Sequence, residues 1–263
     1  MPEDLLLVDT HAHLEEVPDL DSALARARRA GVRAIIAVSS DLASSQRALE
    51  ISRDHPGFVF PALGVHPTSL GGEEAVFRFM EENLDKAVAI GEVGLDYKVA
   101  GPGDLREAQK RAFARCLEMA RARRKPVLVH ARGAWADAFH LVKRSGVEKV
   151  VFHWFSGPPE VLEEIVASGY FVSATPAVEY SPGHRSAVQH APLSQLLLET
   201  DSPVRYRGRD SEPADVVRVL GEVARLKGIE EAELARITTA NALALFGIAT
   251  PGHNSVPPVR TTP

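Results

Sequence analysis

Residues 5–13 read LLLVDTHAH, a short apolar run that ends in a cluster of polar side chains. Near-continuous apolar runs of four to eight residues are typical of strands that are buried on both faces of a parallel sheet. Runs of this kind recur along the chain at similar intervals, so we predict eight buried strands. They are Leu5–Asp9, Ala34–Val38, Phe58–Leu63, Ala87–Ile90, Pro126–Val129, Lys149–Phe152, Tyr170–Ser173 and Leu196–Glu199.

Longer amphipathic stretches separate these runs and predict helices between the strands. Residues 104–124, for example, place apolar side chains at helical i, i+3 and i+4 spacing. We expect Asp104 to cap this helix and Pro126 to follow its end. The repeated alternation predicts an α/β protein with a TIM (β/α)8 barrel, and a doubly wound open sheet is the alternative. We expect a single domain over residues 1–248 and a flexible, disordered tail over residues 249–263.

Composition restricts the classes of protein to which the chain can belong. Its 263 residues include one cysteine, and 30 Lys and Arg against 35 Asp and Glu give a formal net charge of −5. One cysteine forms no internal disulfide, and the negative charge argues against a surface that binds nucleic acid throughout. The sequence has no signal peptide and no membrane span, which predicts a cytoplasmic protein. Gly71-Gly72 lacks the strand-to-helix context of a phosphate-binding loop, so we expect no nucleotide cofactor.

Histidines and carboxylates follow several predicted strands, at the end where a barrel carries its functional residues. His11 and His13 point to the same face of an extended segment because they are two residues apart. Imidazole and carboxylate together are typical ligands of divalent transition metals. The predicted metal ligands are His11, His13, Glu92, His130, His153 and Asp201.

Six ligands exceed the four of a single tetrahedral zinc ion and instead predict two divalent ions about 3.5–4 Å apart. Glu92 is the predicted bridge because it lies, along the sequence, between the first pair of these histidines and the last pair. Asp201 completes the set around the first ion, and we expect it to orient an attacking water and to accept its proton. The identity of the ions stays open among Zn, Mn, Mg, Co and Ni.

Six short motifs lie at or near the ends of the predicted strands: DTHAHL (9–14), GVHP (64–67), GEVGLDY (91–97), PVLVHAR (126–132), HWFSG (153–157) and ETDSP (199–203). Together they resemble the motifs of the TatD family of metal-dependent hydrolases, in the amidohydrolase superfamily. The resemblance implies a TIM-barrel hydrolase with one or two metal ions at the positions above. It also implies a deoxyribonuclease, typically a 3′–5′ exonuclease on single-stranded DNA, in which His66 faces the scissile phosphate. A metal-bridging hydroxide is then expected to attack the phosphorus atom.

Basic residues near the predicted strand ends are candidates for contacts with such a substrate. Arg132 follows a predicted ligand by two residues, and its guanidinium suits bidentate binding of phosphate. Arg205 and Arg207 lie in the loop after the last strand, and we expect them to bind DNA phosphates together with His66. The expected catalytic residues are Asp201, Glu92 and His66.

Two departures from the family pattern fall in loops that we expect near the substrate. Ser211-Glu212-Pro213 stands where many members have Asn-Glu-Pro, and the bulky Trp154 follows the sixth-strand histidine. One alternative hypothesis keeps the metal site but hydrolyses an amide, lactone or ester, although Glu92 replaces the bridging lysine that many such enzymes use. Another is a binding protein of weak activity that retains the barrel.

Overall fold

Eight parallel strands pair in chain order in the computed structural model, which describes residues 6–249. The predicted (β/α)8 architecture is therefore confirmed, and the open sheet is wrong. Apart from its first residue, the predicted tail lies outside the described residues. The strands are β1 (Leu7–Ala12), β2 (Val32–Ala37), β3 (Val59–Leu63), β4 (Ala89–Gly94), β5 (Val127–His130), β6 (Val150–Phe152), β7 (Phe171–Ala174) and β8 (Leu196–Leu198).

Helices occupy the connections between the strands and cover the outside of the barrel. Within residues 6–249, no helix is both long enough and apolar enough to cross a membrane. The helices are α1 (Leu20–Arg29), α2 (Leu42–Asp54), α3 (Glu73–Asn83), α4 (Asp104–Arg123), α5 (Trp135–Ser145), α6 (Pro159–Ala167), α7 (Pro182–His190), α8 (Val216–Lys227) and α9 (Glu231–Phe246). After β8 the chain also forms a small hairpin from β9 (Arg205–Tyr206) and β10 (Arg209–Asp210).

The start of α4 corrects one prediction, because Asp104 does not cap this helix. Gly103 occupies the cap position at a φ of 116°, a backbone conformation suited to glycine, and no side chain caps the helix. Asp104 is therefore already helical, and its charge lies in the first turn, where the helix dipole favours an anion.

The buried side chains form two separate clusters that alternate along the strands. On β5, Val127 and Val129 belong to the larger cluster, which lies between the strands and the surrounding helices. Leu128 belongs to the smaller cluster, which joins side chains from seven strands and therefore fills the barrel interior. Leu245 and Phe246, at the end of α9, also pack into this interior cluster.

The barrel closes between β8 and β1 through main-chain hydrogen bonds near the carboxyl ends of these strands. The Asp201 N–H donates to the His11 carbonyl at 2.9 Å, and the His13 N–H donates to the Ser202 carbonyl at 2.7 Å. Asp9 strengthens this seam because its carboxylate accepts a hydrogen bond from the Thr200 N–H at 2.9 Å. Three predicted metal ligands therefore take part in the hydrogen bonds that close the barrel.

Candidate metal centre

Six side chains that the sequence predicts as metal ligands meet at the carboxyl end of the barrel, where five different strands end. β1 and β4 extend past their predicted ends, so His11 and Glu92 lie within the strands themselves. The others follow or end a strand, which aims their side chains into the same opening. The six residues are His11 and His13 at β1, Glu92 at β4, His130 at β5, His153 beyond β6 and Asp201 beyond β8.

Glu92 lies at the centre of this cluster and presents each carboxylate oxygen to a different pair of histidines. Its Oε2 atom lies 3.5 Å from Nε2 of His11 and 3.3 Å from Nε2 of His13. Its Oε1 atom lies 2.6 Å from Nδ1 of His130 and 2.8 Å from Nε2 of His153. Each carboxylate oxygen thus faces one of the two predicted pairs, while the rings of His11 and His153 stack across the pairs with their centroids 4.2 Å apart.

Two of these imidazoles are oriented by a second carboxylate on the side away from Glu92. The Nδ1 atom of His153 lies 3.3 Å from Glu199, and the Nε2 atom of His130 lies 3.2 Å from Asp96. A histidine that donates its other ring N–H to a carboxylate has its tautomer and ring orientation fixed, and its free nitrogen becomes a better ligand. This arrangement leaves Nε2 of His153 and Nδ1 of His130 available on the Glu92 side.

The contacts of His11, His13 and Asp201 indicate that these residues suit a metal ion. Oδ1 of Asp201 lies 3.5 Å from Nε2 of both His11 and His13. Among the described residues, neither ring nitrogen of His11 has a hydrogen-bond partner, and Nδ1 of His13 has none, although all three atoms are buried. Buried polar atoms without partners are costly, and a cation would supply the missing interaction. A donor set of imidazole nitrogen and carboxylate oxygen therefore fits divalent metal ions here.

The cluster holds opposite charges in a buried environment, which shifts several pKa values. Burial opposes protonation of His153, but the carboxylates of Glu92 and Glu199 outweigh it and raise the pKa of His153 well above its ordinary value. Burial likewise opposes ionisation of Glu92, but the neighbouring histidines, His153 foremost, hold its pKa well below the usual range. Because an imidazole must be neutral to bind a metal, cation binding at this cluster is expected to release protons.

His66, on the loop after β3, lies beside this cluster as a hydrogen-bond donor. Its Nε2 atom is 3.7 Å from Oε1 of Glu92. Its Nδ1 atom accepts the Thr68 N–H at 3.2 Å and lies 2.6 Å from the Thr68 hydroxyl, so the neutral ring carries its proton on Nε2. Burial lowers the pKa of His66 to about 4, which keeps the ring neutral above that pH.

Arg132 enters the same opening and is held by Asp96. The Nε atom of Arg132 donates to Oδ2 of Asp96 at 2.9 Å, and the Nη2 atom lies 2.8 Å from the same oxygen. Gln109, a buried side chain of α4, accepts the Asp96 N–H at 3.0 Å and donates to the Pro67 carbonyl at 3.1 Å. This amide connects the loop of His66 with the loop of Asp96.

A cavity of about 520 Å³ opens above the cluster and is wide enough for a small organic ligand. Many of its lining residues are predicted from the sequence to lie at the metal ions or near the substrate, among them His66, Arg132 and Trp154. Trp135, on α5, and Ser181, just before α7, also line the cavity and are not predicted from the sequence. No periodicity or motif distinguishes these two positions in the sequence.

Two groups of residues that the sequence places near the substrate do not line the cavity. Arg205 and Arg207 belong to the hairpin and do not line the cavity; Arg205 bonds to the Gly208 carbonyl, and Arg207 stacks on the Tyr180 ring. The Ser211-Glu212-Pro213 departure does not reach the cavity either. Glu212 instead forms an ion pair with Arg26 of α1 at 2.6 Å, so this loop has a structural role.

The chain is similar to proteins of known sequence and structure. A family model described as "TatD related DNase" matches residues 8–247. Human "Deoxyribonuclease TATDN3" is 35% identical over 258 residues, which is 91% of this chain and 94% of the relative. The Bacillus subtilis "Uncharacterized metal-dependent hydrolase YabD" is 33% identical and covers 92% of this chain and 100% of its own length.

A solved structure gives the same result at the level of the fold. The crystal structure of YJJV, a TatD homolog from Escherichia coli, superimposes with a TM-score of 0.84 at 28% identity, over 92% of this chain and 98% of that one. The match of the family model extends from β1 to the end of α9 and includes all six residues of the cluster. The chain therefore belongs to the family of TatD related DNases.

Proposed function

We propose that this chain is a deoxyribonuclease that uses two divalent metal ions to hydrolyse phosphodiester bonds, as a 3′–5′ exonuclease on single-stranded DNA. The observation that carries the proposal is the position of the Glu92 carboxylate. Its Oε2 atom faces His11 and His13. Its Oε1 atom faces His130 and His153. One carboxylate between two histidine pairs is the arrangement that a pair of ions sharing a bridging ligand requires.

Family membership supports the same activity, because relatives carry the names deoxyribonuclease and metal-dependent hydrolase. In the proposal, one ion is held by His11, His13, Glu92 and Asp201, and the other by Glu92, His130 and His153. Zn, Mn, Mg, Co and Ni are the candidate metals. When bound, such ions supply a hydroxide nucleophile near neutral pH and neutralise charge on the phosphoryl oxygens.

Asp201 is the proposed proton acceptor. Burial opposes its ionisation, but the hydrogen bond with His13 and the positive charge of nearby histidines lower the pKa of Asp201 below its ordinary value. The carboxylate is therefore ionised at neutral pH and can take the proton of an attacking water molecule at an oxygen atom that faces the cavity.

His66 and Arg132 are the proposed contacts to the scissile phosphate. The neutral ring of His66 presents its Nε2–H toward the cluster, where it can donate to a phosphate oxygen. Arg132 lines the cavity, and its two contacts with Asp96 leave further N–H groups for an anion. A guanidinium at this position would hold the phosphate in the ground state and in the transition state alike.

Arg205 and Arg207 are proposed to contact phosphates farther along the strand. Each arginine lies next to a residue that lines the cavity. Val204, which lines it, precedes Arg205 in the chain, and Arg207 stacks on Tyr180, which precedes the lining residue Ser181. Contacts of this kind add affinity without reading the base sequence.

A metal-by-substrate assay tests the proposal. The chelated protein is reconstituted with each candidate metal and given single-stranded oligonucleotides labelled at the 5′ or the 3′ end. We expect successive release of nucleotides from the 3′ end with at least one metal, and no cleavage by the Glu92→Gln variant. Hydrolysis of lactones or cyclic amides without cleavage of any phosphodiester would establish the alternative hypothesis instead.

A further inference from the structure

Both tryptophans of the chain, Trp135 and Trp154, line the cavity above the cluster. Trp135, on α5, packs against the core, and its ring lies 4.7 Å from the ring of Phe155. A Cβ atom at Gly157 would lie 2.6 Å from this indole, so the ring of Trp135 is packed directly against the backbone of Gly157. Trp154 is also half-buried and lines the cavity, but it packs against neither of the two apolar clusters.

The position of Trp154 is held by hydrogen bonds and by one ring contact. Its backbone adopts a φ of 44°, in the left-handed region that bulky side chains rarely occupy. The Trp154 N–H donates to Oε1 of Glu199 at 3.1 Å and to the Ser173 hydroxyl at 3.2 Å. The indole lies 5.3 Å from the ring of Tyr206, whose hydroxyl donates to the Thr200 carbonyl at 3.1 Å. A residue in this strained conformation that is held by several contacts and still lines the cavity points to a role in binding.

Trp154 is also fixed relative to the reactive end of the cavity. The Glu199 oxygen that accepts the main-chain N–H of Trp154 lies 3.3 Å from Nδ1 of His153, so one carboxylate holds both the imidazole and the backbone that carries the indole. The indole of Trp154 is therefore carried by the residue that directly follows His153, whose imidazole faces Glu92. A ligand whose anionic group sits at the cluster would place its neighbouring group against this surface.

We propose that the exposed face of Trp154 is the stacking surface for the nucleobase next to the scissile phosphate, which makes Trp154 a specificity-determining residue. This proposal rests on the deoxyribonuclease function proposed above. Every base has a flat π-face, so stacking favours a base over none without selecting one sequence. The cavity volume of about 520 Å³ suits a ligand of nucleotide size.

Kinetics with paired oligonucleotides test this surface. The two substrates are identical except that the nucleotide at the scissile position carries its base or is abasic. We expect Trp154→Ala to lower kcat/KM on the base-bearing substrate about tenfold, mainly through KM, in line with measured stacking strengths. Its effect on the abasic substrate should stay within about twofold, and Trp154→Phe should be intermediate.

Phe79→Ala is the matched control, since it removes a half-buried ring on α3, outside the cavity. Any effect it has should be equal on both substrates. Circular dichroism and metal analysis verify that each variant is folded and loaded. Equal losses by Trp154→Ala on the two substrates, or no loss on either, would overturn the proposal.

Fluorescence separates this proposal from the nuclease function. The Trp135→Phe variant leaves Trp154 as the only tryptophan. We expect its emission to be quenched by deoxyadenosine monophosphate and not by deoxyribose 5-phosphate, which lacks the base. If quenching occurs while the wild type cleaves no DNA, the nuclease function falls and the base-binding surface stands. Absence of quenching in a protein that does cleave DNA overturns the surface alone.

Discussion

Oε1 of Glu199 lies 3.3 Å from Nδ1 of His153, on the side of the imidazole that is turned away from Glu92. Glu199 is fully buried, and among the described residues its second oxygen has no hydrogen-bond partner. A buried carboxylate in this position holds the imidazole in one tautomer and makes its free nitrogen more basic. Glu199 thus sets both the orientation of the His153 ring and the basicity of the nitrogen that is predicted to bind the metal.

Replacement of Glu199 by glutamine should therefore weaken metal binding by about 10- to 100-fold. The amide keeps the size of the side chain and can still accept the Trp154 N–H, but the negative charge is lost. Isothermal titration with a metal ion and a competing chelator measures the affinity. Glu118→Gln, an exposed site on α4, is the control and should bind as the wild type does. Unchanged affinity in Glu199→Gln would show that the carboxylate has no influence on the ligand.

Glu92→Gln and Asp201→Asn should separate the bridging role from the proton-accepting role. Loss of the Glu92 charge removes attraction from both histidine pairs, so we expect fewer bound ions per chain than in the wild type. Oδ1 of Asp201 lies 3.5 Å from Nε2 of both His11 and His13, while Oε1 of Glu92 faces the second pair, so Asp201→Asn should keep at least one ion while turnover falls about 100-fold or more. Metal analysis after gel filtration and steady-state rates distinguish the two. Equal stoichiometry in both variants would contradict a bridge at Glu92.

Arg132→Lys should raise KM for an oligonucleotide about tenfold with little change in kcat, because a charged hydrogen bond to phosphate is lost from ground state and transition state alike. Lysine keeps the charge but not the planar fork that binds Asp96 and an anion together. Arg106→Lys is a suitable comparison, since that guanidinium stacks on Tyr97 and does not line the cavity. A lowered kcat with an unchanged KM would assign Arg132 to the chemical step.

His184 should make stability depend on pH in the acidic range. Its Nδ1–H donates to the Phe155 carbonyl at 2.7 Å and its Nε2 accepts the Thr175 N–H at 3.1 Å, so both ring nitrogens are used by the neutral form. Burial lowers the pKa of His184 to about 4 in the folded protein, from an ordinary value of 6.5. Between these values the unfolded chain binds the proton and the folded one does not. The stabilisation is complete above pH 6.5 and about 3 kcal/mol of it is lost as the pH falls to 4.

Urea unfolding at pH 7.5 and pH 5, in the presence of a chelator, measures this dependence. We expect His184→Gln to have a smaller difference between the two pH values than the wild type. His190→Gln, at an exposed histidine whose ring bonds to the Ser186 carbonyl, should behave as the wild type does. A pH difference in His184→Gln as large as that of the wild type would contradict the assignment.

The strands could be predicted because each is a short apolar run, but their ends depend on neighbours that are distant in sequence. β4 continues through Gly94, which a local pattern treats as a turn residue. At this glycine a Cβ atom would lie 1.9 Å from the His130 carbonyl, so the absence of a side chain is what allows β4 and β5 to approach. Nothing in the run of residues around Gly94 reveals that contact.

The meeting of the six side chains of the cluster could be predicted because a barrel brings all its carboxyl strand ends to one opening. Their supporting partners could not, since Gln109 and Glu199 reach across from elements whose relative positions only the folded chain fixes. Arg205 and Arg207 were expected beside the cavity because they follow the carboxyl end of β8. They do not line it, because the hairpin that carries them turns back on itself and its register is set by local pairing rather than by the barrel.

The main-chain bond from Asp201 to His11 has a consequence for how the protein is made. β1 leaves the ribosome with two predicted ligands of the first ion, His11 and His13. Asp201, which bonds to this strand and completes the same set, follows almost two hundred residues later. A nascent chain therefore carries an exposed, unfinished site through most of its synthesis. The last strand completes the cylinder and the pocket in one event, so a truncated product has neither.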